Sequence, residues 1–243
     1  MNLIVFCTTM GHAGKHTYEQ TIDNILSEKN KCFDSLITNK IVHLKTRPDE
    51  KDVADKIKKY FNQLGFEVIE TISDLVHHSE NHLNHSAEYC KDVLKVYSIP
   101  KVRNTEYSFW LEDDWIIQSK GVDLSEACRE SMSFLDNNPD QLCVRFNSAE
   151  DFKRCEKDHL HSHGDIYTQG LRYTPWGGTF TFQPNISRTK EIYIAWKSIN
   201  TQLDVLDRYH CELLSGDTLK HLTDSTTPFS FYDPQKIYAQ HIG

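Results

Sequence analysis

The sequence lacks several features that define large classes of protein. No apolar run approaches the ~20 residues that a membrane-spanning helix needs. The apolar stretch Leu3–Cys7 follows the initiating residues directly, without the basic region and cleavage site of a secretory signal. The seven cysteines are odd in number and include no CxxC pair, which indicates reduced thiols rather than a disulfide framework. An excess of positive charge is also missing, since the net charge is −8, so we expect no nucleic-acid partner. These absences predict a cytoplasmic protein.

The composition that remains is that of an ordinary globular protein, with 26% charged and 11% aromatic residues. The 243 residues contain no internal repeat and no linker-like tract. We therefore expect a single domain over residues 1–243.

Strand and helix patterns alternate in the first part of the chain. The strands are predicted at Asn2–Thr9, Asn39–Lys45 and Phe66–Ile72, the last at a sheet edge, and the helices at Thr17–Glu28 and Glu50–Leu64. Asp49 is the expected N-cap of the second helix, and Gly65 is its expected stop. This order predicts βαβ units and a mainly parallel sheet.

The rest of the chain is less regular, and its predicted elements follow in order. They are a helix at His78–Tyr97, a strand at Phe109–Asp114, a helix at Asp123–Leu135, a strand at Gln141–Asn147, a long loop at Ser148–Gly170, a strand after Trp176 that reaches Phe182, helices at Ser187–Ile199 and Gln202–Leu222, and strands at Phe229–Tyr232 and Ile237–Ala239.

Three consecutive carboxylates, Glu112, Asp113 and Asp114, lie between the apolar runs Phe109–Leu111 and Trp115–Ile117. Like charges this close raise one another's pKa and resist joint ionisation. A bound cation relieves that repulsion, and oxygen ligands suit Mg²⁺ or Mn²⁺. The cluster therefore predicts a metal site, with a solvated acidic strand end as the alternative.

Other polar residues follow the predicted strands in the same way. Thr8 and Thr9 end the first strand, Lys45 and Arg47 end the second, and Asp74 follows the third. In open α/β sheets the ligand lies beyond the carboxyl ends of the strands. We therefore expect these residues to meet the acid cluster at one edge of the sheet.

The sequence resembles the GT-A-fold glycosyltransferases, which move a sugar from a nucleotide-sugar donor to an acceptor. Leu111-Glu-Asp-Asp-Trp115 resembles their Asp-x-Asp motif, in the Glu-Asp-Asp form of animal N-acetylglucosaminyltransferases. The resemblance implies a Rossmann-type α/β/α sandwich with a mixed, mainly parallel central sheet. It assigns the nucleotide sugar to residues 1–118 and a carbohydrate or other hydroxyl acceptor to residues 119–243. Further domains after residue 243 are expected as well.

The same resemblance implies roles for individual residues. Asp114 and His241 would hold Mn²⁺ or Mg²⁺, which stabilises the charge of a leaving nucleoside diphosphate. The residues assigned to the nucleotide sugar are Thr8, Thr9, Lys45, Arg47, Asp74, Glu112, Asp113, Trp176, Gly177 and Gly178. Positive groups expected to face the phosphates also include Arg103, Arg145, Arg172 and Arg188.

An inverting transferase needs a general base that takes the proton of the acceptor hydroxyl. Glu212 is our first choice because Leu213 and Leu214 would fix it to the core, Asp217 is the second and Asp207 the third. A solvated helix acid is the alternative for each of them, so the stereochemical outcome stays open.

Two further classes share the carboxylate pattern. One is a metal-dependent hydrolase that acts on a nucleotide sugar or a phosphoester, and the other is an inactive domain that only binds a sugar or nucleotide. Zinc is a third idea, because His78, His82 and His85 share a predicted helical face and His159, His161 and His163 alternate in a loop. Exposed polar histidines explain both sets more simply.

Overall fold

The computed structural model describes residues 1–9, 17–27, 31–73, 82–146, 166–168, 171–176, 183–200, 220 and 229–242. The strands in these ranges are β1 (Asn2–Thr8), β2 (Asn39–Thr46), β3 (Glu67–Ile72), β4 (Tyr107–Glu112), β5 (Trp115–Ser119), β6 (Cys143–Arg145), β7 (Ile166–Thr168), β8 (Leu171–Trp176), β9 (Asn185–Arg188), β10 (Phe229–Tyr232) and β11 (Ile237–His241).

Seven α-helices lie in the same ranges, together with a short 3₁₀ turn at Pro48–Glu50. They are α1 (Thr17–Ile25), α2 (Lys31–Asp34), α3 (Lys51–Gln63), α4 (His82–Tyr97), α5 (Pro100–Arg103), α6 (Leu124–Asn137) and α7 (Thr189–Asn200). Among the described residues, none of these helices combines the length and the apolar character needed to cross a membrane.

The main sheet has the strand order β3-β2-β1-β4-β9-β6-β10-β8-β7 over the described residues. The first four strands are parallel to one another, whereas β9 and β8 run against their neighbours. With only β9 and β8 opposed, the other seven strands share one direction, so the sheet is mixed and mainly parallel. The four strands β3-β2-β1-β4 come from residues 1–118, and the five strands β9-β6-β10-β8-β7 come from residues 119–243.

Strand β1 lies between β2 and β4 in the main sheet and is buried on both faces. Leu3 and Val5 belong to one apolar core, which contains residues of α1, α2, α3 and α6. Ile4 and Phe6 belong to a second core on the opposite face, built with α4, α5 and α7. A strand covered on both faces is continuous in apolar residues, which is why Leu3–Cys7 shows no polar alternation. The result is an α/β/α sandwich.

A second, two-stranded sheet pairs β5 with β11 in antiparallel register. Trp115, Ile117, Ile237 and Ala239 turn their side chains into the core on the α1 side. This small sheet carries the end of the described chain back to the carboxyl end of β4.

Most of the predicted elements are present, and the edge position of β3 and the stop at Gly65 are confirmed. Gly65 has φ +77°, the left-handed conformation that ends many helices. The prediction for Asp49 was wrong, because its carboxylate accepts from the Arg47 guanidinium at 3.1 and 3.2 Å and caps no helix amide.

Three other predictions need correction. Strand β4 ends at Glu112 rather than Asp114, because the chain turns at Asp113 before β5 begins. The predicted loop Ser148–Gly170 contains strand β7. Strand β8 was not predicted, and the strand predicted after Trp176 lies outside the described residues. The predicted helix start at Ser187 was wrong, because residues 185–188 form strand β9 between β4 and β6. The second predicted helix, Gln202–Leu222, lies outside the described residues except for position 220.

Candidate functional site

The carboxyl ends of β1, β2 and β4 meet at one edge of the sheet, because the three strands are parallel neighbours. Thr8 lies opposite Lys45 in the β1–β2 ladder, and the Thr9 backbone N–H donates to the Lys45 carbonyl at 3.0 Å. The Asp113 N–H donates to the Phe6 carbonyl at 2.9 Å, which joins the end of β4 to the end of β1. The structure thus brings Thr8, Thr9, Lys45 and the acid cluster together, as the sequence predicted.

The three acids of the cluster differ in their surroundings, and Asp113 points inward. Its side chain is only 4% exposed, and its carboxylate accepts from the Thr8 N–H at 3.2 Å. Its carbonyl accepts from the Thr21 hydroxyl at 3.0 Å, which ties α1 to the turn. Burial, with the negative charge of Asp114 adding to it, raises the pKa of Asp113 to about 7. Asp113 therefore holds the ends of β1 and β4 together from inside.

Asp114 is partly buried and forms a pair with His241. The imidazole Nε2 lies 2.9 Å from Asp114 Oδ2, although 127 residues separate the two positions in the chain. The β5–β11 ladder produces this contact, because His241 lies opposite Trp115 and the Ile242 N–H donates to the Asp114 carbonyl at 2.8 Å. The His241 side chain is 52% exposed and that of Asp114 is 14% exposed. The pair is thus fixed by the backbone and open on its imidazole side.

Glu112 lies on the face of the sheet that α4 covers. It follows Trp110 by two positions in β4, and Trp110 packs in the core beneath α4. The Tyr89 hydroxyl of α4 donates to Glu112 Oε1 at 3.3 Å. The Tyr89 ring packs on Phe6, with 5.3 Å between the ring centroids. The end of β4 and the helix α4 thus both position Glu112.

Lys45 points under the same helix and is 7% exposed at its side chain. Its ammonium lies 2.9 Å from Glu88 Oε2 and 3.7 Å from Asp92 Oδ2. Asp92 also contacts His43, with 3.3 Å between Oδ1 and Nε2. Burial pushes the pKa of Asp92 upward, but the hydrogen bond and the charge of His43 together with Lys45 outweigh burial, so the pKa is lowered. We call these four residues, His43, Lys45, Glu88 and Asp92, the α4 cluster.

Sequence reasoning found Lys45 but missed Tyr89 and the acids of the α4 cluster. A signal for the acids was present, because Glu88 and Asp92 lie four residues apart in a predicted helix and so share one face. His43 and Lys45 are two residues apart in a strand and also share a face. Which face of the helix meets which strand is a tertiary fact that neither spacing contains.

No protein-family model matches the sequence. No curated protein sequence matches it either. A solved structure of a putative glucose-1-phosphate thymidylyltransferase from Bacillus anthracis, in complex with sucrose, is similar with a TM-score of 0.50 and 9% identity. The similarity covers 99% of this chain and 89% of that one. At this identity the likeness concerns the fold alone. The fold is GT-A-like.

Two other solved structures resemble this GT-A-like chain less closely. The 4-diphosphocytidyl-2C-methyl-D-erythritol synthase of Anaerococcus prevotii has a TM-score of 0.44 at 12% identity, covering 97% of this chain and 88% of its own. The Mn/GDP form of core-mannan synthase A from Aspergillus fumigatus has a TM-score of 0.45 at 10% identity, covering 100% and 75%. Both TM-scores lie below 0.5, so these two likenesses do not support the fold assignment.

The donor set at the acid cluster fits a divalent cation that a diphosphate also binds. Within the described residues, no group of three or more His, Cys, Asp and Glu side chains is arranged to hold a metal by itself. The described part of the GT-A-like fold does bring one carboxylate and one imidazole to contact distance at Asp114 and His241. In phosphate-binding sites Mg²⁺ is bound by one or two carboxylates and completes its shell with phosphate oxygens and water. Asp114 supplies one such carboxylate, and the His241 imidazole lies beside it.

Several predicted site residues lie outside the described part of the GT-A-like fold. They are Asp74, Gly177, Gly178, Glu212 and Asp217, with Asp207, His78, His159, His161 and His163 among the weaker candidates. Trp176 is the last residue of β8, opposite Phe229 of β10. Arg47 is bound to Asp49 at the rim beyond β2.

The arginines that were expected near the phosphates are spread over the described fold. Arg103 lies over the ring of Tyr193, 5.5 Å from its centroid. Arg188 donates to the carbonyls of Leu135 and Gln141. Arg145 is buried at the carboxyl end of β6 and donates to Gln183 Oε1 at 2.8 Å. Of these three, only Arg145 lies at the edge of the sheet where β1, β2 and β4 have their carboxyl ends, because β9 is antiparallel to β4 and β6.

Proposed function

We propose that the chain is a metal-dependent glycosyltransferase that moves a sugar from a UDP- or GDP-sugar to a hydroxyl of a carbohydrate or other acceptor. The observation that carries the proposal is the contact of Asp114 with His241 at 2.9 Å, at the carboxyl edge of a GT-A-like sheet. Ligands bind at this edge in open α/β folds. A carboxylate and an imidazole held by backbone pairing form a preorganised site for a hard dication.

Each described residue of the site has a role that follows from its position. Asp114 and His241 would hold Mn²⁺ or Mg²⁺, whose charge stabilises the diphosphate that leaves the sugar. Thr8 and Glu112 are partly exposed at the same edge and would bind hydroxyl or phosphate groups of the nucleotide. Asp113 is buried, so it fixes the strand ends on which those groups depend.

The remaining roles are assigned to residues outside the described ranges and rest on the family resemblance. Gly177 and Gly178 would allow donor and acceptor to approach the backbone after Trp176. Glu212 would take the proton of the acceptor hydroxyl in an inverting displacement, with Asp217 as the second choice. The acceptor oxygen then forms the new glycosidic bond while the nucleoside diphosphate departs.

Ligand-dependent melting tests the donor site. The panel consists of UDP, GDP and their sugar derivatives, with Mn²⁺ or with EDTA, on the wild type and on Asp114→Asn. A ligand at 100 times its Kd adds about 2.7 kcal/mol to the free energy of unfolding, which raises the Tm of a chain this size by roughly 5–10 °C. We expect one nucleotide to do so with Mn²⁺ and not with EDTA.

The matched control is Glu106→Gln, since Glu106 is an exposed acid immediately before β4, at the opposite end of that strand from Asp114. This variant should respond as the wild type does, whereas Asp114→Asn should lose the response. A panel without any Mn²⁺-dependent shift in the wild type would overturn the proposal. Release of sugar from the responding donor without any acceptor, at an undiminished rate, would favour the hydrolase instead.

A further inference from the structure

The Tyr89 side chain joins helix α4 to the acid cluster. Its hydroxyl donates to Glu112 Oε1 at 3.3 Å, and its ring is tilted against Phe6 at 5.3 Å. Phe6 in turn stacks on Trp110, with 4.3 Å between the ring centroids. The ring of Tyr89 is thus seated on an aromatic layer whose members belong to β1 and β4, and its hydroxyl is aimed at the end of β4.

The α4 cluster fastens the same turn of the helix to the ends of β2 and β3. Glu88, the residue before Tyr89, binds Lys45 at 2.9 Å and accepts from the Ser73 hydroxyl at 2.7 Å. Asp92, one turn further on, binds His43 at 3.3 Å. His43 also contacts the Thr71 hydroxyl at 3.1 Å. Tyr89 therefore lies between two anchored positions of the helix.

A buried group of charges is a poor way to gain stability, because apolar residues of the same volume often do as well or better. Three members of the α4 cluster are nearly inaccessible: His43 is 1%, Asp92 4% and Lys45 6% exposed. Such a group favours one position of α4 on the sheet, because sliding or rotating the helix would leave these charges buried without partners. That position of the helix places the Tyr89 hydroxyl.

We propose that Tyr89 is a positioning residue for Glu112, and that the α4 cluster holds Tyr89 in place. The proposal rests on the function proposed above and adds α4 to the donor site. The donated hydrogen bond fixes the orientation of the Glu112 carboxylate, so that it meets a nucleotide hydroxyl without first being ordered. Loss of the hydroxyl should therefore weaken donor binding and raise KM, with little change in kcat.

A double-mutant cycle on donor affinity tests this role. The four proteins are the wild type, Tyr89→Phe, Glu112→Ala and the double variant, each titrated with the responding nucleoside diphosphate in Mn²⁺. Alanine is used because it removes the oxygen that accepts from the Tyr89 hydroxyl. Tyr89→Phe should weaken the Kd by roughly 3–10-fold, the range expected for one net hydrogen bond. In the Glu112→Ala background the same change should have less than about a 2-fold effect.

Tyr193→Phe is the matched control, since Tyr193 is a half-buried tyrosine on the outer helix α7 beneath Arg103. It should leave the Kd unchanged. An equal loss from Tyr89→Phe in both backgrounds, or no loss at all, would overturn the proposal, because the hydroxyl would then act without Glu112.

The cycle also separates this proposal from the proposed function. If the wild type binds no nucleotide, the proposed function fails, and the four proteins are instead unfolded with urea. Non-additive midpoints for Tyr89→Phe and Glu112→Ala would then support the positioning contact for another ligand. Additive midpoints would overturn it.

Discussion

The carboxyl group of Asp113 should make the free energy of unfolding depend on pH. Burial, aided by the charge of Asp114, raises the pKa of Asp113 to about 7 in the folded protein. An aspartate in an unfolded chain has a pKa of about 3.9. Between these values the unfolded chain has released a proton that the folded chain still binds, so the free energy of unfolding falls as the pH rises. At 1.36 kcal/mol per pH unit, the upper limit of this loss is roughly 4 kcal/mol, complete above about pH 7.

Asp113→Asn removes this titration while keeping an oxygen that can accept from the Thr8 N–H. The assay is urea unfolding in EDTA at pH values from about 4 to 8, with Glu106→Gln as the control, because Glu106 is an exposed acid just before β4. We expect the free energy of unfolding of Asp113→Asn to rise relative to that of the wild type up to about pH 7. Above that pH the difference should stay constant. The control should parallel the wild type.

Two results would refute this reasoning. Parallel curves for Asp113→Asn and the wild type would show that Asp113 does not change its protonation on unfolding in this range. If instead the free energy of unfolding of the wild type rises relative to that of the variant as the pH rises, the Thr8 N–H stabilises the carboxylate more than burial destabilises it.

Three further substitutions test the described fold through urea unfolding. Asp92→Asn should lower the free energy of unfolding by about 3–5 kcal/mol at neutral pH, because His43 and Lys45 lose a buried partner. Since the pKa of Asp92 is lowered, this difference should shrink as the pH falls below about 4. A difference independent of pH would contradict the pairing. Gly65→Ala should lower it by about 1 kcal/mol, because φ is +77° although the space beside the residue is open; an unchanged midpoint would argue against that conformation. Asp123→Ala should also lower it by about 1 kcal/mol, because the carboxylate accepts an amide of the first turn of α6 at 2.8 Å, and an unchanged midpoint would mean that water replaces this cap.

Local sequence patterns were enough to predict the four parallel strands β1 to β4. The runs Leu3–Cys7 and Phe109–Leu111 are apolar throughout because both faces of their strands are covered. Gly65 marked the end of α3 because few other residues adopt a positive φ at low energy. The contact of Asp114 with His241 followed from the family resemblance and not from spacing, since 127 residues separate them.

Strand β9 was missed because its sequence does not look like a buried strand. Asn185 and Ser187 are fully buried in the middle of the sheet, and Ile186 is the only apolar residue among residues 185–188. The Asn185 amide donates to the Gln183 carbonyl at 2.8 Å, a short-range bond that offsets its burial. Polar residues of this kind favour turns when only the sequence is considered.

The α4 cluster was missed for a different reason. Glu88 and Asp92 have the spacing of a charged, solvent-exposed helix face, the usual position for such residues. They turn inward because Lys45 and His43 lie beneath them on β2. The sequence shows each half of the cluster, but the pairing depends on how α4 crosses the sheet.

We propose that Asp114 and His241 together bind the dication that a nucleoside diphosphate also binds. Electron paramagnetic resonance of Mn²⁺ tests this proposal, because the six-line signal of the free ion disappears on binding. We expect a single Mn²⁺ site in the wild type that tightens when the diphosphate is present, is abolished in Asp114→Asn, is weakened in His241→Ala and is unchanged in Glu106→Gln. Equal Mn²⁺ binding in all four proteins, or a wild type whose affinity ignores the diphosphate, would contradict it.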